Sequence, residues 1–211
     1  MQTTQQLVQE ILVSGYSQRF VDAVRDVLGI EGGHVNDPVD RGGETKFGIS
    51  LRYLVSAGKD DFDQDGLADF DLDMDGDIDG ADIRLLTVGD AVFLYHRDFW
   101  LAYDCDCLRK PLGEALFDQA INGGGYAAKT MLQLALNEIN PPNDDIVVDG
   151  KIGPLTRAVL EATIARAGIE AMLEAYREQV RARYRAIVRN NPSQQRFLKG
   201  WLNRANRLGK Y

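Results

Sequence analysis

The chain has 211 residues, 45% of them hydrophobic, enough for one globular domain with a real core or two small ones. Its formal charge of −8 is not spread over the surface: residues 60–82 hold 11 aspartates and no Lys or Arg, leaving 21 acidic and 24 basic residues elsewhere. No stretch approaches the roughly 18 apolar residues of a membrane span, and two cysteines separated by one residue, Cys105 and Cys107, exclude a disulfide-defined fold.

The N-terminus, Met1-Gln2-Thr3-Thr4-Gln5-Gln6, lacks the basic start and long apolar run of a secretory signal, so the chain is expected to be made as a soluble cytosolic protein. Residues 7–13 carry apolar residues with the spacing of one helical face. Residues 17–30 read as a helix with Phe20, Val21, Val24, Val27 and Leu28 on one side, stopped by Gly32-Gly33. Residues 34–50, rich in Gly, Asp, Asn and Pro, predict irregular turns or a small β-hairpin, and 51–57 a short helix.

Beyond the aspartate-rich segment, Thr87-Val-Gly-Asp90 has the form of a capping box with Asp in place of Glu, and Ala91 to Trp100 keeps helical spacing. Helices are expected over 112–122 and 126–139, separated by Gly123-Gly124-Gly125. After a loop at Pro141–Asp145, three more follow at about 154–166, 169–190 and 193–206. The last forty residues hold ten Lys or Arg against Glu174 and Glu178. The predicted class is mainly α, with one small β-element.

The segment from Glu31 to Ser50 is the most informative for chemistry. A glutamate at the carbonyl end of a helix is disfavoured as an anion by the macrodipole, and partial burial adds to the effect; both raise its pKa. A carboxylic acid that stays protonated near neutral pH suits protonation of a leaving glycosidic oxygen. Nine residues on, Asp40 supplies a second carboxylate, and the pair has the composition used in glycoside hydrolysis. By spacing alone, Glu31 reads first as a solvated helix end and Asp40 as a turn former.

The string Glu-Gly-Gly-x-x-x-Asp-x-x-Asp-x-Gly-Gly-x-Thr-x-x-Gly-Ile-Ser over residues 31–50 resembles the hallmark of glycoside hydrolase family 108, the N-acetylmuramidases of phage and prophage endolysins. Tyr95, Phe99 and Trp100, Leu116-Phe117-Asp118 with Ala120, Asn122 and Gly124, and Leu132-Gln133 resemble that family's middle region. Asp149-Gly150-x-x-Gly153-Pro154-x-Thr156 resembles its predicted peptidoglycan-binding region, and Gly200-Trp201-Leu202-Asn203-Arg204 its usual ending. The likeness covers nearly the whole chain except about residues 58–83.

The resemblance implies a lysozyme-like helical domain with Glu31 as catalytic acid. T-even-type phage lysozymes carry a similar Glu, Asp, Thr and Gly-Ile in order. By that analogy Asp40 and Thr45 hold the attacking water, with Asp37 as the competing carboxylate. Phe99, Trp100 and Trp201 read first as core, with sugar stacking as the alternative; Asp149–Thr156 reads as a turn into a helix capped near Gly153-Pro154.

The aspartate-rich insert has its own register. With Asp71 at position 1, Asp73 and Asp75 fall at 3 and 5, Gly76 at the sharp turn, and Asp77 offers its carbonyl at 7. Asp79 falls at 9 and Asp82 at 12. The pattern resembles EF-hand and dockerin loops and predicts a Ca2+ site with Asp71, Asp73, Asp75, Asp77 and Asp82 as ligands and an exiting helix from Ile83. Asp61, Asp63, Asp65 and Gly66 begin a second such loop whose twelfth position is Leu72.

The expected organisation is a muramidase catalytic region over 1–110, with the calcium insert at 60–83, followed by a helical peptidoglycan-binding-like region over 111–211. The expected partners are peptidoglycan glycan strands, with no nucleic acid and no transmembrane segment, acting as a monomer on the wall after holin-type release. Two alternatives stand beside this reading: a non-enzymatic, calcium-dependent wall- or partner-binding module, and a secretion-associated muramidase of the same family.

Overall fold

In the computed structural model, which describes residues 15–30, 34–35, 44–62 and 64–210, Ser17 opens the first of the described helices. Its hydroxyl accepts the Phe20 N–H at 3.2 Å, satisfying one of the amides that a helix start leaves free. Helix α1, Gln18–Ile30, buries Phe20, Val21, Ala23, Val24 and Val27, the face that the spacing predicts, while Leu28 is half-buried. Tyr16 and Phe20 pack against His96, with ring centroids 4.6 and 4.8 Å away. The helical spacing noted over 7–13 lies outside the described residues.

Among the described residues, three two-residue strands follow: β1 (His34–Val35), β2 (Thr45–Lys46) and β3 (Ile49–Ser50). They form an antiparallel sheet with β2 in the middle, pairing Val35 with Thr45 and Thr45 with Ser50. The predicted hairpin is therefore joined by a third strand. Ser50 then caps α2, Leu51–Ala57, by accepting the Tyr53 N–H at 3.3 Å.

The acidic segment is built of turns up to α3, Gly80–Leu85. This helix starts three residues before the expected Ile83 because Asp79 caps it, in a reciprocal box with Asp82. The box predicted at Thr87 is also present. Thr87 Oγ1 accepts the Asp90 N–H at 3.2 Å, and Asp90 Oδ2 accepts the Thr87 N–H at 2.7 Å, opening α4 over Val88–Tyr95. Residues His96–Leu101 are wound as a wider π-helix, which apolar spacing does not distinguish from an α-helix.

The chain divides after His96 into two compact units. In the second, a 3₁₀ turn at Cys105–Cys107 precedes α5 (Leu112–Gly123) and α6 (Gly125–Ile139). Then come α7 (Pro154–Ala167), α8 (Ile169–Asn190) and α9 (Leu198–Arg207). Its core joins Leu112 and Leu116 of α5, Met131, Leu132 and Leu136 of α6, and Leu173, Tyr176 and Val180 of α8. Each such side chain contributes about 1.5–3 kcal/mol by leaving water.

The helix expected over 193–206 is two pieces. Pro192–Phe197 forms 3₁₀ turns because Asn191 Oδ1 accepts both the Ser193 N–H and its hydroxyl, tightening the entry before α9. The basic C-terminal stretch is partly structural. Arg177, 2% exposed, donates to the Leu208 carbonyl at 2.8 Å, and Arg204 pairs with Asp118 at 2.7 Å. Arg181 bridges Glu174 and Glu178 along α8. Both cysteines are free thiols, Cys105 buried and Cys107 exposed.

Candidate active site and acidic loop

The β2–β3 connection is a two-residue turn in which both central residues have positive φ, Phe47 at +52° and Gly48 at +78°. That is the pattern of a type I′ turn, whose twist matches the flanking strands. Glycine adopts it freely; for Phe47 it costs about 1 kcal/mol or more. The buried Tyr95 compensates by donating its hydroxyl to the Phe47 carbonyl at 2.6 Å. Ile49, 1% exposed, anchors the return strand. Thr45 thus sits half-buried in the middle strand, with its register fixed from both sides. Glu31, Asp37 and Asp40 lie outside the described residues; Glu31 follows directly on the last residue of α1 in the chain.

The flanks of Thr45 are tied to α3. Arg84 Nη1 donates to both Glu44 carboxylate oxygens, and the Lys46 amine donates to the Arg84 carbonyl. A β-carbon on Gly80 would lie 2.7 Å from Glu44 Oε2, so the helix start leaves room for that carboxylate. The sequence reading missed Glu44, Arg84 and Tyr95 as supports. Glu44 and Arg84 are forty residues apart, and no local spacing links them.

The acidic loop repeats one backbone design. Asp71 accepts the N–H groups of Asp75 and Gly76 at 3.1 and 2.8 Å, and ten residues earlier Asp61 accepts those of Asp65 and Gly66 at 3.1 and 3.2 Å. Positive φ recurs at Gln64 and Gly66, and at Met74 and Gly76. The two copies close differently. Asp82 Oδ1 accepts the Leu72 N–H at 2.6 Å, whereas in the first copy Asp69 Oδ1 accepts the Phe62 N–H at 3.1 Å. Asp69 therefore takes a closing role that the position of Leu72 left unassigned.

One carboxylate oxygen from each of Asp71, Asp73 and Asp82 lies within 4.8 Å of the others. Two calcium–oxygen bonds of about 2.3–2.6 Å can span such a separation, so the donor set and its spacing fit a hard divalent cation. Asp75 and Asp77 are not in that group; the Asp75 carboxylate accepts the Asp77 N–H at 3.1 Å. Desolvation and the neighbouring carboxylates of Asp75, Asp82 and Asp71 raise the Asp73 carboxyl above its ordinary range. For Asp77 the charge of Asp75 is the main cause, ahead of desolvation. The carboxylate neighbours contribute to both shifts, ahead of desolvation only at Asp77, and a cation would relieve that repulsion.

In the second unit, Gln133, 1% exposed, organises the Asp149–Thr156 motif. Its side-chain amide donates to Asp149 Oδ1 at 2.9 Å and to the Lys151 carbonyl at 3.1 Å, and its oxygen accepts the Gly150 N–H at 2.7 Å. Gly153 then caps α7, with Pro154 at its first position, as the turn reading expects. Trp100 is 1% exposed and packs edge-on to Phe117; Trp201 lies near-parallel to both Tyr184 and Phe197 at 5.3 and 5.7 Å. Phe99 is partly buried against the core. These three aromatics are packing residues.

Residues 24–124 match the family model described as Glycosyl hydrolase 108, and residues 127–206 match the one described as Predicted Peptidoglycan domain. The chain is also similar to a solved structure titled "Structure of Brucella abortus SagA". The two share 24% sequence identity over 90% of this chain and 91% of that one, with a TM-score of 0.65, a likeness of fold. A comparison with curated proteins finds no match.

Proposed function

We propose that this chain, a glycoside hydrolase that carries a peptidoglycan-binding region and takes peptidoglycan as its partner, is an N-acetylmuramidase of the endolysin type. It cuts the β-1,4 bond from N-acetylmuramic acid to N-acetylglucosamine. The observation that carries this reading is the match of residues 24–124 to glycosyl hydrolase 108, over a segment that includes Glu31, Asp40 and Thr45. Glu31 protonates the leaving oxygen. Asp40 and Thr45 hold and activate the water that attacks the anomeric carbon from the opposite face. The central-strand position of Thr45, with its pinned turn, supports a positioning role, because water-holding groups act through geometry.

The acidic insert binds calcium and regulates the enzyme. Supporting this are the Asp71, Asp73 and Asp82 oxygens, the raised Asp73 and Asp77 carboxyls, and the Arg84 link from α3 to the hairpin. Bound calcium supplies positive charge that lets the carboxylates converge. Asp75 and the Asp77 carbonyl complete the ligand set, and the Asp61–Asp69 copy is a second, weaker candidate. Among the described residues no helix is long and apolar enough to cross a membrane. In the proposed biology the protein is a monomer from a phage or prophage, made in the cytoplasm and released to the wall through a holin-type hole.

The test is mass spectrometry of fragments released from purified peptidoglycan. Cleavage at the proposed bond leaves N-acetylmuramic acid at the new reducing ends. N-acetylglucosamine at those ends would replace the muramidase assignment with a glucosaminidase.

A further inference from the structure

Tyr126 is 68% exposed, yet its ring is backed by the main chain. A β-carbon on Gly150 would lie 2.6 and 2.7 Å from the ring's Cε2 and Cδ2 atoms, so the ring rests directly on the Gly150 backbone. Gly150 has a φ of +72°, and glycine alone admits both that conformation and that contact without strain. The turn beneath is held in turn by the buried Gln133, whose one side chain bonds to Asp149, Gly150 and Lys151.

A buried amide spent on ordering the support of an exposed ring calls for an explanation. A ring this exposed adds little to the core, and covering an outward apolar face is favourable by about 25 cal/mol per Å². The residues on either side of Gly150, Asp149 and Lys151, are also exposed and offer an anionic acceptor and a cationic donor. A flat apolar face beside such groups complements a pyranose, which presents C–H bonds on its faces and hydroxyl and acetamido groups at its rim.

We infer that Tyr126, backed by Gly150 and flanked by Asp149 and Lys151, is a stacking platform for an N-acetylhexosamine of the peptidoglycan glycan. The inference rests on the peptidoglycan-hydrolase reading and adds a binding locus to it. Tyr126 falls in the gap between the two matched ranges, and Gly150 inside the second.

The experiment is co-sedimentation of the full-length protein with intact peptidoglycan sacculi on ice, with N-acetylglucosamine oligomers as soluble competitors. Tyr126→Ala should weaken apparent affinity about tenfold, the scale of a buried aromatic contact at an interface. Tyr126→Phe should stay within about twofold, since stacking uses the ring and not the hydroxyl, and the oligomers should displace the parent protein. Thermal midpoints of both variants control for folding. Alanine binding as tightly as the parent, phenylalanine failing as badly as alanine, or oligomers without effect would overturn the platform and leave the hydrolase reading intact. A parent that releases fragments without sedimenting would do the same. A parent that neither sediments nor releases fragments would remove both.

Discussion

Arg84 donates from a single guanidinium nitrogen to both oxygens of Glu44, at 3.0 and 3.2 Å. Arg84 stands on the helix that leaves the acidic loop, and Glu44 is the residue before Thr45. Because the Lys46 amine reaches the Arg84 carbonyl, the backbone on both sides of Thr45 is tied to that helix. As an ion pair with Arg84 58% exposed, the contact contributes no more than about 1 kcal/mol. Its effect is positional. Arg84→Met should move the thermal midpoint by only a few degrees while lowering turnover on peptidoglycan about tenfold, a fraction of what misplacing a reacting group can cost. Wild-type turnover in this variant would show that the hairpin holds Thr45 without help from α3.

Glu31→Gln should remove essentially all lytic activity and leave far-UV circular dichroism unchanged, because the amide keeps the shape but cannot donate the proton. Asp40→Asn should lower turnover by at least about 10²-fold, the lower end of a general base's contribution. If Asp37→Asn is the crippling change instead, the water-holding pair is Asp37 with Thr45.

Calcium should raise the thermal midpoint by several degrees and increase lysis. A ligand at one hundred times its dissociation constant stabilises the folded state by about 2.7 kcal/mol. Extracellular-type calcium modules bind at roughly 10⁻⁴–10⁻³ M, so a site of that strength is empty in the cytosol and filled at the wall. Asp71→Ala combined with Asp75→Ala should abolish the response. Full activity in EDTA, with a midpoint indifferent to calcium, would reduce the insert to a spacer.

The Asp149 carboxyl is held below its ordinary range, first by the Gln133 amide and then by the Lys151 N–H. A depressed carboxylate contributes stability that is present above the unfolded-state pKa and lost as pH falls through the lower folded-state value. Asp149→Asn should therefore lower the midpoint near neutral pH, and the gap from the parent should close as pH drops through the acidic range. Differential scanning calorimetry from pH 7 down to 3 reads this directly. A gap independent of pH would assign the Asp149 contribution to packing.

Where a helix begins was legible where the residues at its start have no competing role. Thr87 with Asp90 and Gly153 with Pro154 are local devices, visible within four residues. The α3 start shifted because Asp79 and Asp82 serve as cap partners, a role their metal-loop register hides. The sheet's middle strand was foreseen as part of a hairpin, but what fixes its register was not: Tyr95 reaches Phe47 across 48 residues, and Arg84 reaches Glu44 across 40. Such partners are chosen by the folded chain. The aspartate repeat was legible as a period, whereas the closure of its first copy by Asp69 depends on a turn that no spacing rule specifies.

The hairpin's brevity has a mutational consequence. Its strands are two residues long, so packing along them cannot correct an error in pairing, and a one-residue slip would turn Thr45 to the opposite face. The two-residue turn at Phe47-Gly48, pinned by Tyr95, and the tie from Arg84 to Glu44 set the phase. A scan of this region should therefore separate by type of lesion and not by chemistry: many side-chain replacements on the strands leave the chain in step, while a single insertion or deletion between residues 45 and 50 shifts the pairing of β2 with β3 by one residue.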